Sequence, residues 1–259
     1  MHALSRVPRE AFLGTPPWRV IAPVVGGNPL KPDTSLETAP EQLYRDVLVS
    51  IDRERRLNNG QPSSLAAWLE ALELAEGDRV RHVGAGTGYY TAIMAEVVGP
   101  TGHVFALECE PDLAARAGEN LAGYPQVTVV CSDGSSHDSG PCDAILVNAG
   151  ATHLSPVWLD SLRTSGRLVV PLTVARDGQG RGFGRMLKVV RRDPDWEARF
   201  IGAVGIYPCM GARDPETNRR LERAYREAEA TSVRRLIRSP HERTETCWLH
   251  GDGFCLSRE

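Results

Sequence analysis

The stretch His82-Val83-Gly84-Ala85-Gly86-Thr87-Gly88-Tyr89, "HVGAGTGY", decides the fold. Before it runs "RVRHV", which reads as a strand. After it runs "YYTAIMAEVVG", which reads as a helix. The three glycines therefore mark a strand-to-helix turn. Glycine lets the backbone turn tightly there and approach a ligand with no Cβ in the way. In an open α/β sheet, the space beyond the carboxyl end of such a strand is where ligands bind.

Working outward, the pattern repeats. "HVFALE" is a strand and "PDLAARAGENLAG" a helix; "VTVVCSD" and "CDAILVNAG" are strands. "SPVWLDSLRT" is a helix and "GRLVVPLTV" a strand. Apolar strands alternating with helices predict an α/β, Rossmann-like fold: a doubly wound, mostly parallel sheet with helices on both faces. After Arg176 the pattern changes to two longer strands, "GRMLKVVRR" and "WEARFIGAVGIYPC", separated by "DPD". A charged helix, "DPETNRRLERAYREAEATSVRRLI", and a hairpin about Gly251-Asp252-Gly253 follow. Upstream, "APEQLYRDVLVSI" predicts a helix capped by Thr38, and "QPSSLAAWLEALEL" a second with Pro62 in its first turn. The expected organisation is an N-terminal substrate-side segment (1–60), a nucleotide-binding core (61–210) and a helix-and-hairpin addition to the same domain (211–259).

Bulk properties narrow the function. The chain has 259 residues, of which 41% are hydrophobic and 24% charged, enough to bury a sizeable core. A net charge of -3 gives no basic footprint for nucleic acid. No apolar run is long enough for a membrane span, and the N-terminus lacks the apolar region of a secretory signal. The six cysteines form no CxxC pair. They read as reduced, mostly buried thiols of a cytoplasmic protein. Cys247 and Cys255 face one another across the predicted hairpin, but a disulfide is not expected. His137, His153 and His250 show no metal-ligand spacing with cysteine or acid, so no metal is expected. The arginines of the charged helix alternate with acids and read as a solvated face, with docking of an acidic or leader peptide as the functional alternative.

The cofactor follows from the acids. Twenty residues after Gly88 the second strand ends in Glu108, placed to accept hydrogen bonds from both hydroxyls of a ribose. The third strand ends in Asp133-Gly134, where a carboxylate can accept from an adenine amine. The glycine spacing is G-x-G-x-G and not the dinucleotide G-x-G-x-x-G, and no basic residue stands beside it for a phosphate. Two acids suit a cationic cofactor. S-adenosyl-L-methionine, with S-adenosyl-L-homocysteine as product, is the expected ligand, and a class I methyltransferase the expected fold. A nicotinamide enzyme is the weaker reading.

With these residues in place the chain resembles the protein-L-isoaspartate O-methyltransferase family. The resemblance runs to about Leu172 and is carried by "VPREAF" (7–12), "LYRD" (43–46), "LELAEGDRVRHVGAGTGY" (72–89) and "ALECEPDLAARAGENL" (106–121). "DGSS" (133–136), "CDAILVNAGA" (142–151) and "SGRLVVPL" (165–172) complete it. It implies cofactor contacts at Gly84, Gly86, Gly88, Glu108, Asp133 and Gly134. Ala85 in the turn, His82 before it and Asn148 on the same rim join that expected set. Three departures stand out. The family's Thr-Ile-Ser-Gln-Pro loop is Asn58-Asn59-Gly60-Gln61-Pro62 here, with glycine at the serine position and asparagine at the threonine position. The family's acid before the glycine turn is His82, which either orders the loop or is a satisfied strand residue. The C-terminal helix and hairpin are additional. A paralogue acting on a different peptide fits these departures.

The implied reaction is esterification of an Asp or isoAsp side chain in a peptide or protein, leading to a succinimide. A carboxylate is ionised at neutral pH, so no general base is required. Positioning and desolvation should suffice. Asn58, Asn59 and Gln61 are the expected substrate-positioning residues, with a turn or capping role as the alternative. The start of the helix at Pro62-Ser63-Ser64, with the free N–H groups that follow the proline, offers an anion site. A biosynthetic peptide methyltransferase, a small-molecule methyltransferase and a non-catalytic module retaining the fold are the other readings.

Overall fold

The computed structural model of the chain describes residues 2–21, 34–175 and 180–259. Helix α1 (His2–Arg6) opens the chain, followed by β1 (Trp18–Ile21), β2 (Thr34–Glu37), β3 (Leu48–Asp52) and β4 (Leu57–Asn58). These strands form a small sheet ordered β2-β1-β3-β4. The helix expected over 39–51 is a correction. A 3-10 turn (Pro40–Tyr44) leads into β3, and Ala39, not Thr38, precedes it without a side-chain cap. The reason lies in Val47, Val49 and Ile51, whose period is two. Val47 and Val49 are buried with Trp18 and Val20, and Val20 pairs with Val49.

The core begins with α2 (Pro62–Leu72) and β5 (Arg79–Val83). Then come α3 (Tyr89–Val98), β6 (His103–Glu108), α4 (Pro111–Asn120), β7 (Val127–Cys131) and β8 (Cys142–Val147). Helix α5 (Pro156–Ser161) leads into β9 (Leu162–Ala175), β10 (Gly182–Arg192) and β11 (Asp195–Ile206). Helix α6 (Pro215–Glu227), β12 (Arg235–Ile237), β13 (Cys247–Gly251) and β14 (Phe254–Ser257) finish the chain. Ten strands form one sheet, β13-β14-β12-β11-β10-β9-β8-β5-β6-β7. The sheet is mixed. Strands β7, β6, β5, β8 and β9 pair in parallel. From β9 to β13 every pairing is antiparallel.

Both faces of the parallel half are covered, as parallel strands require. Along β8, Ala144 and Leu146 join the apolar cluster under α2 and α3. Ile145 and Val147 join the opposite cluster with Trp158 of α5 and Leu221 of α6. The same alternation assigns Val169 to the first face and Leu168, Val170 and Leu172 to the second.

Two predicted helices end early. The first stops at Ser161, and Leu162-Arg163-Thr164 already belong to β9. The second stops at Glu227. Ala228 is extended and its carbonyl accepts a hydrogen bond from Trp248 Nε1 (3.2 Å), while Leu236 pairs with Leu256.

Candidate active site

The glycine turn takes a conformation that only glycine adopts readily: Gly84, Gly86 and Gly88 have φ of 76°, 58° and 93°. Gly84 N donates to Leu107 O (2.8 Å), tying the turn to the next strand. Glu108, 6% exposed, accepts from Gly86 N through Oε2 (2.7 Å) and from Glu110 N through Oε1 (3.1 Å). The acid thus shapes the turn and stands on its rim. One strand further, Asp133 Oδ1 accepts from Ser135 N (2.9 Å). The parallel register Val83↔Leu107 and Glu108↔Cys131 brings the three strand ends level.

These groups surround a cavity of about 400 Å³. Gly84, Ala85, Gly86, Glu108, Asp133 and Gly134 line it, together with Asn58, Asn59 and Asn148. Three expected residues stand elsewhere. Gly88 is the N-cap of α3, and a Cβ on it would meet Leu121 at 2.7 Å. His82 is fully buried beneath the turn, its Nδ1 2.8 Å from Thr91 Oγ1 of α3. Burial lowers its pKa to about 3, so the ring is neutral and acts as a strut between β5 and α3. Gln61 donates to Asp46 Oδ2 (2.6 Å). Ser63 N donates to Asp46 Oδ1 (2.9 Å), so the anion at the start of α2 is the protein's own Asp46. Burial alone would raise that carboxyl, but bonds from Gln61 and Ser63 hold it low.

A second cavity, about 560 Å³, adjoins the first. Gly60, Gln61, Ser64 and Trp68 form one wall, and Arg181, Phe183 and the end of β11 the other. The two cavities share Asn58, Asn148 and Tyr207. Gly60, at the family's serine position, has φ of 77°, and a Cβ on it would meet Leu65 Cδ2 at 2.9 Å. This loop shape disfavours a serine, whose side chain would be strained at that φ. Polar groups at the junction come instead from Asn58 and from Tyr207, whose hydroxyl donates to Arg56 O. Burial pushes the Tyr207 hydroxyl up, so it keeps its proton.

Several positioning residues carry no sequence signal beyond their surroundings. Arg9, 1% exposed, donates to Leu43 O (2.5 Å), Val47 O (2.8 Å), Asn59 Oδ1 (2.8 Å) and Gly60 O (3.1 Å). It holds the Asn59-Gly60 loop, which makes Asn59 part of that scaffold. Arg55 joins Asp52 to Glu110 (2.7 Å) and Asp112, fastening the β3–β4 turn over the cavity rim. Gly211 lies against Asp133, where a Cβ would come within 1.8 Å of Oδ2. "VPREAF" flagged the neighbourhood of Arg9; nothing in the spacing flags Arg55, Tyr207 or Gly211.

Residues 34–204 match the family model described as Protein-L-isoaspartate(D-aspartate) O-methyltransferase (PCMT). The chain belongs to this family. The PCMT chain is 40% identical over 179 residues to a protein-L-isoaspartate O-methyltransferase of Ignicoccus hospitalis, covering 66% of this chain and 82% of that one. It is 33% identical over 219 residues to one from Methanothrix thermoacetophila, covering 82% and 87%. A solved protein-L-isoaspartate O-methyltransferase superposes with a TM-score of 0.63 at 24% identity, over 92% of this chain and 69% of that one. A Plasmodium falciparum beta-aspartate methyltransferase in complex with S-adenosyl-L-homocysteine gives 0.54 at 22%, over 64% and 81%. The fold is that of class I methyltransferases, and S-adenosylmethionine is the cofactor of this PCMT chain. The cavity fits it: a glycine cradle in which a Cβ on Gly84 would crowd Asn148 O at 3.3 Å, with two carboxylates on the rim for hydroxyls and an amine.

Proposed function

We propose that this PCMT chain esterifies an Asp or isoAsp side-chain carboxylate of a peptide or protein, and that the second cavity receives that residue. The observation that supports this is the shared wall. A cofactor in the glycine cavity and a carboxylate in the second would meet at Asn58, Asn148 and Tyr207. Bound S-adenosylmethionine supplies a methyl group already activated by its sulfonium.

The chain's own residues have a limited task. A carboxylate is ionised at neutral pH, so no residue need take a proton. Asn58 presents its amide at the junction, with its Oδ1 held by Gly60 N (3.0 Å). Tyr207 lines the junction of the two cavities. Arg181, on the rim of the second cavity, offers a cation to the carboxylate or to an acidic neighbour in the peptide. Catalysis then rests on approach geometry and partial desolvation. The methyl ester is open to attack by the next backbone nitrogen, giving a succinimide with release of methanol. The proposed setting is the cytoplasm; among the described residues no helix is long and apolar enough to cross a membrane.

The test is methanol release from labelled S-adenosylmethionine with two peptides that differ only in Asp or isoAsp at one site. Turnover of isoAsp alone assigns a repair-type specificity. Turnover of Asp assigns peptide modification of the biosynthetic kind. Cofactor binding with turnover of neither peptide, or of a small-molecule acid alone, would sink the proposal.

A further inference from the structure

The outer edge of the sheet gathers a second set of reactive side chains. Strands β13 and β14 pair around Asp252-Gly253, with His250 opposite Cys255. Cys247 lies three residues before His250 on the same strand. The loop ahead of β13 folds back and brings in His241. One ligand atom from each of His241, Cys247, His250 and Cys255 lies within 4.8 Å of the others. Both cysteines are buried free thiols.

Three details give this cluster the character of a metal site. His241 Nε2 is 3.6 Å from Cys247 Sγ. A tetrahedral zinc, with Zn–S about 2.3 Å and Zn–N about 2.0 Å, sets sulfur and nitrogen about 3.5 Å apart. His241 Nδ1 lies 2.9 Å from Ser239 O. A carbonyl only accepts, so Nδ1 carries the proton and Nε2 offers its lone pair toward the cluster, the arrangement that metal-ligating histidines use. Finally, His250 Nδ1 is buried without a hydrogen-bond partner, an uncommon condition for a buried polar atom.

We propose that His241, Cys247, His250 and Cys255 form a structural Cys2His2 site for a tetrahedral divalent ion, zinc being the natural occupant. Two thiols and two imidazoles are a ligand set suited to zinc. Four protein ligands close the coordination sphere, which marks a structural and not a catalytic site. Binding converts both thiols to thiolates and releases their two protons to solvent. The site is remote from the cofactor cavity: strands β14, β12, β11, β10, β9 and β8 lie between β13 and β5. It also lies beyond residue 204, where the family match ends. Its physical effect is to fasten the loop after β12 to the hairpin. Trp248, between two of the ligands in sequence, packs its ring on Phe200 (5.1 Å) and Tyr225 (5.2 Å), so the fastening reaches the core. The four ligands come from a loop and from both strands of a hairpin, so only the folded register brings them together.

The experiment uses the full chain, purified with its thiols protected. Zinc content should be about one per chain. After stripping, cobalt(II) alone should produce thiolate-to-cobalt charge transfer and the intense visible bands of a tetrahedral site. Cys255→Ser should lose both signals. His241→Ala, in the irregular loop, should weaken cobalt binding by about 100-fold while S-adenosylhomocysteine binding shows that the fold is intact. A strong chelator should lower the Tm of the parent chain by about 10 °C and leave Cys255→Ser unmoved. No cobalt spectrum from the parent chain, an unchanged spectrum in His241→Ala, or a Cys247–Cys255 disulfide in freshly isolated protein would each overturn the proposal. None of these readings depends on methyl transfer, so they stand apart from the activity proposed above.

Discussion

The two halves of the ten-stranded sheet follow different rules. From β7 to β9 the strands are parallel and the crossover helices cover both faces. From β9 to β13 they are antiparallel and largely joined by hairpins or short connections. In the parallel half, chemistry sits at strand ends: the glycine turn, Glu108 and Asp133. In the antiparallel half, it is set by cross-strand register and a returning loop, as with His250 opposite Cys255. Strand-end positions recur at intervals set by the fold, so they can be found by counting along the chain. Register positions depend on a turn and a bulge that the sequence does not space regularly. Positions that counting finds in one half therefore escape counting in the other.

If the halves have separate duties, damage to each should read out differently. The largest effect should come from Trp248→Ala in the antiparallel half. Trp248 is 4% exposed, and removing it opens a cavity beside Phe200 and Tyr225. A loss of about 4 kcal/mol in urea denaturation is expected, with cofactor affinity in the folded fraction unchanged. A matching loss of affinity would break the comparison.

Next comes His82, in the parallel half. Its folded pKa, about 3, lies below the unfolded value of about 6.5. Between these values the unfolded chain holds a proton that the folded chain refuses. Stability is complete above pH 6.5 and falls as pH drops toward 3, by about 1.4 kcal/mol per unit. His82→Gln removes this titration and keeps a polar group near Thr91. Between pH 7 and pH 4 the parent should lose about 3 kcal/mol more than the variant, since other carboxylates contribute alike to both. Equal losses would mean that His82 is hydrated or paired in the folded state.

Glu108→Ala is next in size. It removes the acceptor of Gly86 N and the carboxylate on the cofactor rim. Calorimetry with S-adenosylhomocysteine should show binding about 100-fold weaker, two charge-assisted hydrogen bonds being lost. An unchanged affinity would detach the cavity from the cofactor.

The parallel half was legible because each local rule agreed with the global fold. Strand "RVRHV", its turn and helix lie where the sequence puts them: Arg79–Val83, then Tyr89–Val98. Glu108 and Asp133 line the cavity beyond the strand ends. Elsewhere long-range contacts decided. Residues 45–51 could read as a helix because Leu43, Val47 and Ile51 are four apart. Pairing with β1 through Leu48 and Val49 makes Leu48–Asp52 a strand instead. His82 looked like a cofactor neighbour because it precedes the turn, but the inward side of β5 was already its place. Gln61 stood in the right loop, yet Asp46, fifteen residues earlier, claims its amide. Tyr207 reaches the site from the end of β11, and only the folded sheet brings it to Asn58.

Tyr207 is also where the comparison becomes sharpest, because it belongs to the antiparallel half and borders both cavities. Tyr207→Phe keeps the ring and removes the hydroxyl that donates to Arg56 O. The loss is one hydrogen bond at a partly buried position, about 1 kcal/mol. If the antiparallel half contributes to substrate positioning, kcat/KM for the peptide should fall about fivefold, mostly through KM, while S-adenosylhomocysteine binding stays within about twofold. A change confined to cofactor affinity would place Tyr207 with the parallel half in function. No change in either would leave the β11 end as a wall and shift the weight of substrate contact to Asn58 and Arg181.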